Sequence, residues 1–273
     1  MLGIKEIGTL PWSYEDIRGA YPEFAELYAQ RPLKTNDGGM KAPHMFATWY
    51  MLRKLQPSLI VESGVWYGQG TWIIEQACPD ARLVCIDLEI DRIAYRSKRA
   101  EYHSVDFDLV NFGDHDLTNA LCFWDDHQNA LRRLQQMAWK GFRQAIFEDN
   151  YPAARGDCYS LKKAFAGVGF TPEIQGVKEA LKWSLIDRLG QKLQAFKLPP
   201  NTTHAAELRR ICEVYYEFPP LVRPPQTRWG DPWTDEAYPT KEAVFTDGLD
   251  SVTEEEAVSY NWICYTRICS HRR

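Results

Sequence analysis

The chain has 273 residues, 45% of them hydrophobic, with a formal charge of −5. That length can bury a large core, as one α/β domain or a domain with extensions, without disulfide or metal staples. Seven cysteines stand singly with no CxxC pair, which argues against a zinc knuckle, a thioredoxin-like motif or a disulfide framework and favours a reducing setting; the acidic balance gives no general attraction to a nucleic-acid backbone.

The lead, residues 1–38, is rich in Pro and aromatics, and Lys, Glu and Asp interrupt its apolar residues. It therefore lacks the apolar segment of a signal peptide, and no later stretch reaches the ~18 uninterrupted apolar residues of a membrane span. A soluble, cytoplasmic protein without membrane partners is the expectation. A helix near Tyr21 to Gln30 is followed by the turn "TNDGG" at 35–39. "HMFATWYMLRKL" (44–55) has helical apolar spacing, stopped by Pro57. "SLIVE" (58–62) is a short buried strand, after which a Gly-bearing turn opens into a helix ending near Cys78. "RLVCID" (82–87) is the next strand, "YHSVDFD" (102–108) a weak strand and loop, and "NALCFWDD" (119–126) a stronger strand.

An amphipathic helix over 129–141 ends at Gly141, "FRQAIFEDN" (142–150) is a strand closing on acids, and "YSLKKAF" (159–165) starts another helix. The stretch 177–196 reads as helix, and 201–223 runs helix into strand. A Pro/Gly/Trp-rich loop (223–240) leads to a short helix or irregular segment around 240–247, then to the alternating strand "VSYNWICYTRI". Strands alternating with helices from about 40 to 170 predict a doubly wound, mostly parallel sheet. The basic groups Arg92, Arg96, Lys98 and Arg99, and His271, Arg272 and Arg273 at the tail, read as solvated faces. The aromatic load suits a ring-binding cleft or a packed core equally.

"VESGVWYGQG" places Gly64, Gly68 and Gly70 directly after the first strand. Glycine there lets backbone approach a ligand closely. The spacing is neither GxGxxG nor GxxxxGK[ST], which lowers dinucleotide and nucleoside triphosphate readings. Glu62 repels a pyrophosphate but can pair with a ligand's ammonium, and Asp87, ending the second strand, is placed to accept hydrogen bonds from a ribose diol. The alternative is an ordinary turn with two solvated strand-end acids.

These residues resemble the class I S-adenosylmethionine-dependent methyltransferases, whose E/DxGxxxG motif matches Glu62, Gly64 and Gly68, and whose second-strand acid matches Asp87. The resemblance implies a Rossmann-like fold with a seven-stranded, mostly parallel sheet carrying one antiparallel C-terminal strand. It implies a methyl-donor site around Glu62, Gly64, Tyr67, Gly68, Asp87, Leu88, Asp106 and Asp125, with Asp106 or Asp108 near the adenine. The division expected is a lead or cap over 1–40 and a methyltransferase domain over 41–273, with acceptor-side insertions at about 171–240.

In that sheet order the acids of "DDHQN" and "FEDN" emerge at one edge, where open α/β sheets bind ligands. Asp125, Asp149 and Asn150 offer two carboxylates and an amide oxygen to a hard divalent cation, and the order resembles that of macrocin-type and other sugar O-methyltransferases, which implies magnesium or manganese. Which of Glu148 and Asp149 faces the cleft stays open. His127 is an alternative or additional general base, and Asp126 or Asn129 as a mere helix N-cap is the bland alternative. Lys162 is expected to face outward, and the loop 227–239 either covers the acceptor or packs against its own body. The leading function is O-methylation of a small hydroxylated acceptor, a sugar or glycan preferred, by a monomer or homo-oligomer. The rivals are an NAD-dependent oxidoreductase and a non-catalytic binding module; nucleic-acid methylation lacks an NPPY-like tetrad.

Overall fold

The computed structural model describes residues 6–170, 198–249 and 251–269; the helix expected over 177–196 lies outside them. The first helix, α1 (Tyr14–Ala29), starts earlier than its apolar pattern suggested because Ser13 and Asp16 form a capping box, and it runs through Pro22. Its buried Ile17, Tyr21, Phe24 and Tyr28 recur at helical spacing and lie on α2 (Ala42–Leu55). Pro43 sits in the first turn of α2, where its missing N–H costs nothing. Ala42 through Leu52 are all buried because α2 is sandwiched between α1 and the sheet.

The sheet contains β1 (Leu59–Ser63), β2 (Arg82–Ile86), β3 (Ala100–His103), β4 (Ala120–Trp124), β5 (Gln144–Phe147), β6 (Cys212–Glu217) and β7 (Cys264–Ile268) in the order β3-β2-β1-β4-β5-β7-β6. The first five strands are parallel to one another, and β7 is antiparallel to both β5 and β6. This is a Rossmann-like sheet with the arrangement of the class I methyltransferase fold. The third strand pairs at 100–103 rather than at 102–108, and Phe107–Leu109 is a short 3-10 turn.

Both faces are covered, so β4 reads as an unbroken apolar run instead of alternating with polar residues. Its Leu121 and Phe123 join a core with α1, α2 and α3 (Gln69–Ala77), while Cys122 and Trp124 join the opposite core with α4 (Ala130–Lys140), α5 (Leu161–Phe165) and α6 (Thr202–Ile211). A short α7 (Glu254–Ala257) closes the first face against α2. The segment 240–247 is irregular. All seven cysteines are free, six of them buried. Among the described residues, no helix is long and apolar enough to cross a membrane.

Candidate functional site

Register decides which residues meet. Ser63 pairs with Ile86 and Trp124, and Trp124 with Phe147, so Gly64, Asp87, Asp125 and Glu148 emerge side by side at the carboxyl edge. Because β7 runs the other way, with Cys264 opposite Phe147 and Glu217, the residues just before it reach the same edge.

Gly64 and Gly68 have φ of +91° and +94°. A Cβ on Gly64 would stand 2.0 Å from the Asp125 carbonyl oxygen, and one on Gly68 would stand 2.0 Å from that of Tyr95, so any side chain would push the loops apart. The Asp125 N–H donates to the Ser63 carbonyl at 2.8 Å, locking the β4 loop beside the glycine turn. Asp87 accepts from the N–H groups of Val65 and Trp66 through Oδ2 and of Glu89 through Oδ1, with Arg92 at 3.4 Å. A carboxylate has about four acceptor positions, and with Arg92 counted they are filled, the Arg92 contact being the longest of them. Leu88 beside it is 72% exposed, an unpacked apolar face next to an acid. The Tyr67 carbonyl accepts the Ala94 and Tyr95 N–H groups, fixing the turn, and the Trp66 indole donates to Asp37 from the lead.

Glu62 points into the core between β1 and α3. Its Oε2 accepts from Thr71 and Cys85, while Oε1 is buried without a donor, and a Cβ on Gly70 would crowd it. Burial pushes this carboxyl up to about 8, against the opposing hydrogen bonds from Thr71 and Cys85.

The acids of the two loops divide sharply. Asp125, His127 and Asp149 bring ligand atoms within 4.8 Å of one another. Asp126 turns away to Ser63 and to the buried Arg133, and Asn129 caps α4, so of the two cap candidates Asn129 is the cap and Asp126 is not. Arg133 also takes both oxygens of Asp106 at 3.0 and 2.9 Å, and the Asp106 side chain is still 44% exposed. His127 adopts φ +52°, a conformation that costs a non-glycine residue on the order of 1 kcal/mol and marks constrained sites. Its Nδ1 bonds Asp157 at 3.0 Å and stands 3.1 Å from Asp149. The Asp149 charge, opposed by burial and aided by Asp157, holds the imidazole well above its ordinary range. Burial first, then Glu148 and Asp149, raises Asp125 well above the carboxylate range.

Asn150 leaves the cluster by its bonding. Its amide donates to the Tyr215 hydroxyl and the Trp262 carbonyl, and its oxygen accepts the Lys162 N–H. It is fully buried and ties together β6, α5 and the segment before β7, so its amide is engaged away from Asp125, His127 and Asp149. Glu148 faces α2, where His44 meets it at 2.5 Å. Because His44 Nε2 accepts the Asn261 N–H at 2.7 Å, the ring is the Nδ1–H tautomer and donates to Glu148. Burial pushes Glu148 up, but the contact with His44 outweighs it and holds the carboxyl low.

Lys162 faces inward, contrary to expectation, donating to both oxygens of Glu217 and to the Pro239 carbonyl. The aromatic loop packs on its own body: Trp229 and Tyr238 stack with Trp262, and Arg155 pairs with Asp231. His44 and Asn261 went unnoticed in the sequence, one inside an apolar helix and the other ahead of a strand, with no local signal marking either.

No protein-family model and no curated protein matches the chain. Among solved structures, cmcI-N160 with SAH is 19% identical, covering 50% of this chain and 84% of that one at a TM-score of 0.37. The Podospora anserina methyltransferase PaMTH1 bound to SAH is 12% identical over 52% of this chain and 73% of that one, at 0.36. The O-methyltransferase TomG from Streptomyces achromogenes, in complex with SAM, is 18% identical over 52% and 67%, at 0.33. Likenesses this distant carry no functional argument; the fold assignment rests on the chain's own strand order.

Proposed function

We propose that the protein is an S-adenosylmethionine-dependent O-methyltransferase for a small hydroxylated acceptor, a sugar or glycan preferred, with Mg²⁺ or Mn²⁺ at Asp125, His127 and Asp149. The convergence of those three side chains beside the glycine turn is the observation that carries this reading. The residues fit both groups. Asp149 Oδ2 is buried without a hydrogen-bond donor, the demand a cation meets. Asp87 stands beside the exposed Leu88, and its long contact with Arg92 at 3.4 Å is the one a ribose hydroxyl would replace.

A divalent cation supplies Lewis-acid polarisation of a bound hydroxyl. The chain's own groups do the rest. The turn at Gly64 and Gly68 admits the donor's backbone-close approach, and Asp87 orients its ribose. Asp125 and Asp149 hold the acceptor side, where the hydroxyl oxygen attacks the methyl carbon in line while the carbon–sulfur bond breaks and sulfur keeps the electron pair. The hydroxyl proton leaves to a carboxylate of this cluster or to water. His127 as the sole base, without a cation, is the second reading, supported by the bond from Nδ1 to Asp157 that orients the ring. The partly exposed Trp229, edge-on to Tyr151 at 6.1 Å, supports an acceptor with apolar ring faces. Residues 1–40 serve as a brace for the donor loop, a reading supported by the Trp66–Asp37 bond and by Leu33 and Gln69 bonding through both N–H and carbonyl groups. Residues 41–273 are the catalytic domain in this reading; of the acceptor-side insertion expected at about 171–240, residues 171–197 lie outside the described residues.

Calorimetric titration of chelator-stripped protein with S-adenosylhomocysteine, with and without Mg²⁺ or Mn²⁺, tests the reading. Donor-product binding, plus a metal heat lost in Asp125→Asn/Asp149→Asn while S-adenosylhomocysteine still binds, is expected. Absence of S-adenosylhomocysteine binding refutes it and leaves a binding module on this fold.

A further inference from the structure

Asn261 precedes the one strand that runs against the rest of the sheet, and it is 3% exposed. Its backbone N–H is tied to His44, and the next residue, Trp262, has φ +58° with its carbonyl held by Asn150. A left-handed Trp is uncommon and survives only where surrounding contacts impose it. These contacts aim the Asn261 side chain at Asp149, where Nδ2 stands 3.5 Å from Oδ1. That distance is at the outer limit of a hydrogen bond, so the contact alone does not explain the placement.

Two acceptors remain unmatched in the same spot. Asn261 Oδ1 is buried with no donor, and Asp149 Oδ2 is likewise without one, because His127 Nδ1 donates to Asp157 while standing 3.1 Å away. Hydrogen bonds within the protein do not satisfy either oxygen, whereas a hard cation gathers several buried oxygens at once. Building on the cation reading above, we infer that Asn261 is a further member of that site, its side-chain oxygen joining Asp125 and Asp149 from the strand opposite in direction. An amide suits the position: it adds an oxygen without adding a negative charge to the one already shared by Asp125, Asp149 and Asp157.

The test is Mn²⁺ titration by calorimetry of the whole chain, wild type against Asn261→Ala and Asn261→Asp, with S-adenosylhomocysteine titrations and thermal unfolding alongside. The wild type should bind Mn²⁺, and N261A should bind it at least ~10-fold more weakly, the usual scale for losing a group that supports a metal. N261D keeps an oxygen and should stay within ~3-fold of wild type or bind tighter, with donor-product affinity alike in all three. Wild-type affinity in N261A overturns the inference. So does an equal loss in N261D, which remains decisive if N261A does not fold. A wild type that binds no Mn²⁺ removes the cation reading itself, and this inference with it, whereas binding by wild type and N261A alike removes the inference alone.

Discussion

Glu62→Gln isolates the effect of a buried carboxyl on stability. The side chain is 2% exposed, and its acid is pushed from 4.5 up to about 8. A raised acid pKa means the folded state holds the proton more tightly than the unfolded state. Its contribution is therefore fully present below pH 4.5 and is lost as pH rises through about 8. Each pH unit is worth about 1.4 kcal/mol, which amounts to about 5 kcal/mol over the whole interval and roughly 2–3 kcal/mol between pH 6 and 8. The substituted amide keeps the shape and cannot ionise, so the variant's stability lacks this slope. Urea unfolding of both proteins at half-unit steps from pH 6 to 9 should show the variant gaining on wild type by roughly 2–3 kcal/mol up to pH 8 and levelling off above it. In thermal melts of a domain of this size that is roughly 5–10 °C. A difference independent of pH would mean that Glu62 is ionised when folded, with a partner or water that offsets its burial.

Gly64→Ala places a Cβ 2.0 Å from the Asp125 carbonyl at φ +91°; it should cost at least about 2 kcal/mol in chemical unfolding and reduce cation affinity by displacing Asp125. His44→Ala leaves Glu148 buried without its donor and strips the Asn261 N–H of its acceptor, a loss of about 3–5 kcal/mol measurable by urea unfolding. Asn129→Ala removes the cap whose oxygen accepts from Leu131 and Arg132, so about 1 kcal/mol of stability should go while S-adenosylhomocysteine affinity holds.

Local chemistry made the central sheet legible in the sequence. Short apolar runs such as 59–61 and 120–124, bounded by turn residues, fit strands buried on both faces, and positive-φ glycines follow where loops crowd at a strand end. The same logic put Asp125 and Asp149 at one edge, since parallel strands end together. It placed α1 too late, because a capping box outranked the apolar pattern, and β3 too far along, because a four-residue edge strand carries little periodicity.

Side-chain direction was decided only by tertiary structure. Asp125 and Asp126 are adjacent, yet one meets Asp149 and the other is held by Arg133, seven residues away on α4. Glu148 and Asp149 separate in the same way because His44, more than a hundred residues earlier, claims the first. Asn150 was read as a ligand from its neighbours, but Tyr215, Trp262 and Lys162 occupy it from three remote segments. Asn261 reaches the site only because β7 is inserted antiparallel, so that its beginning lies where the other strands end. Periodicity and turn chemistry act over a few residues and can be read along the chain; the partners of buried polar groups are chosen by packing across the sheet, and no local pattern records that choice.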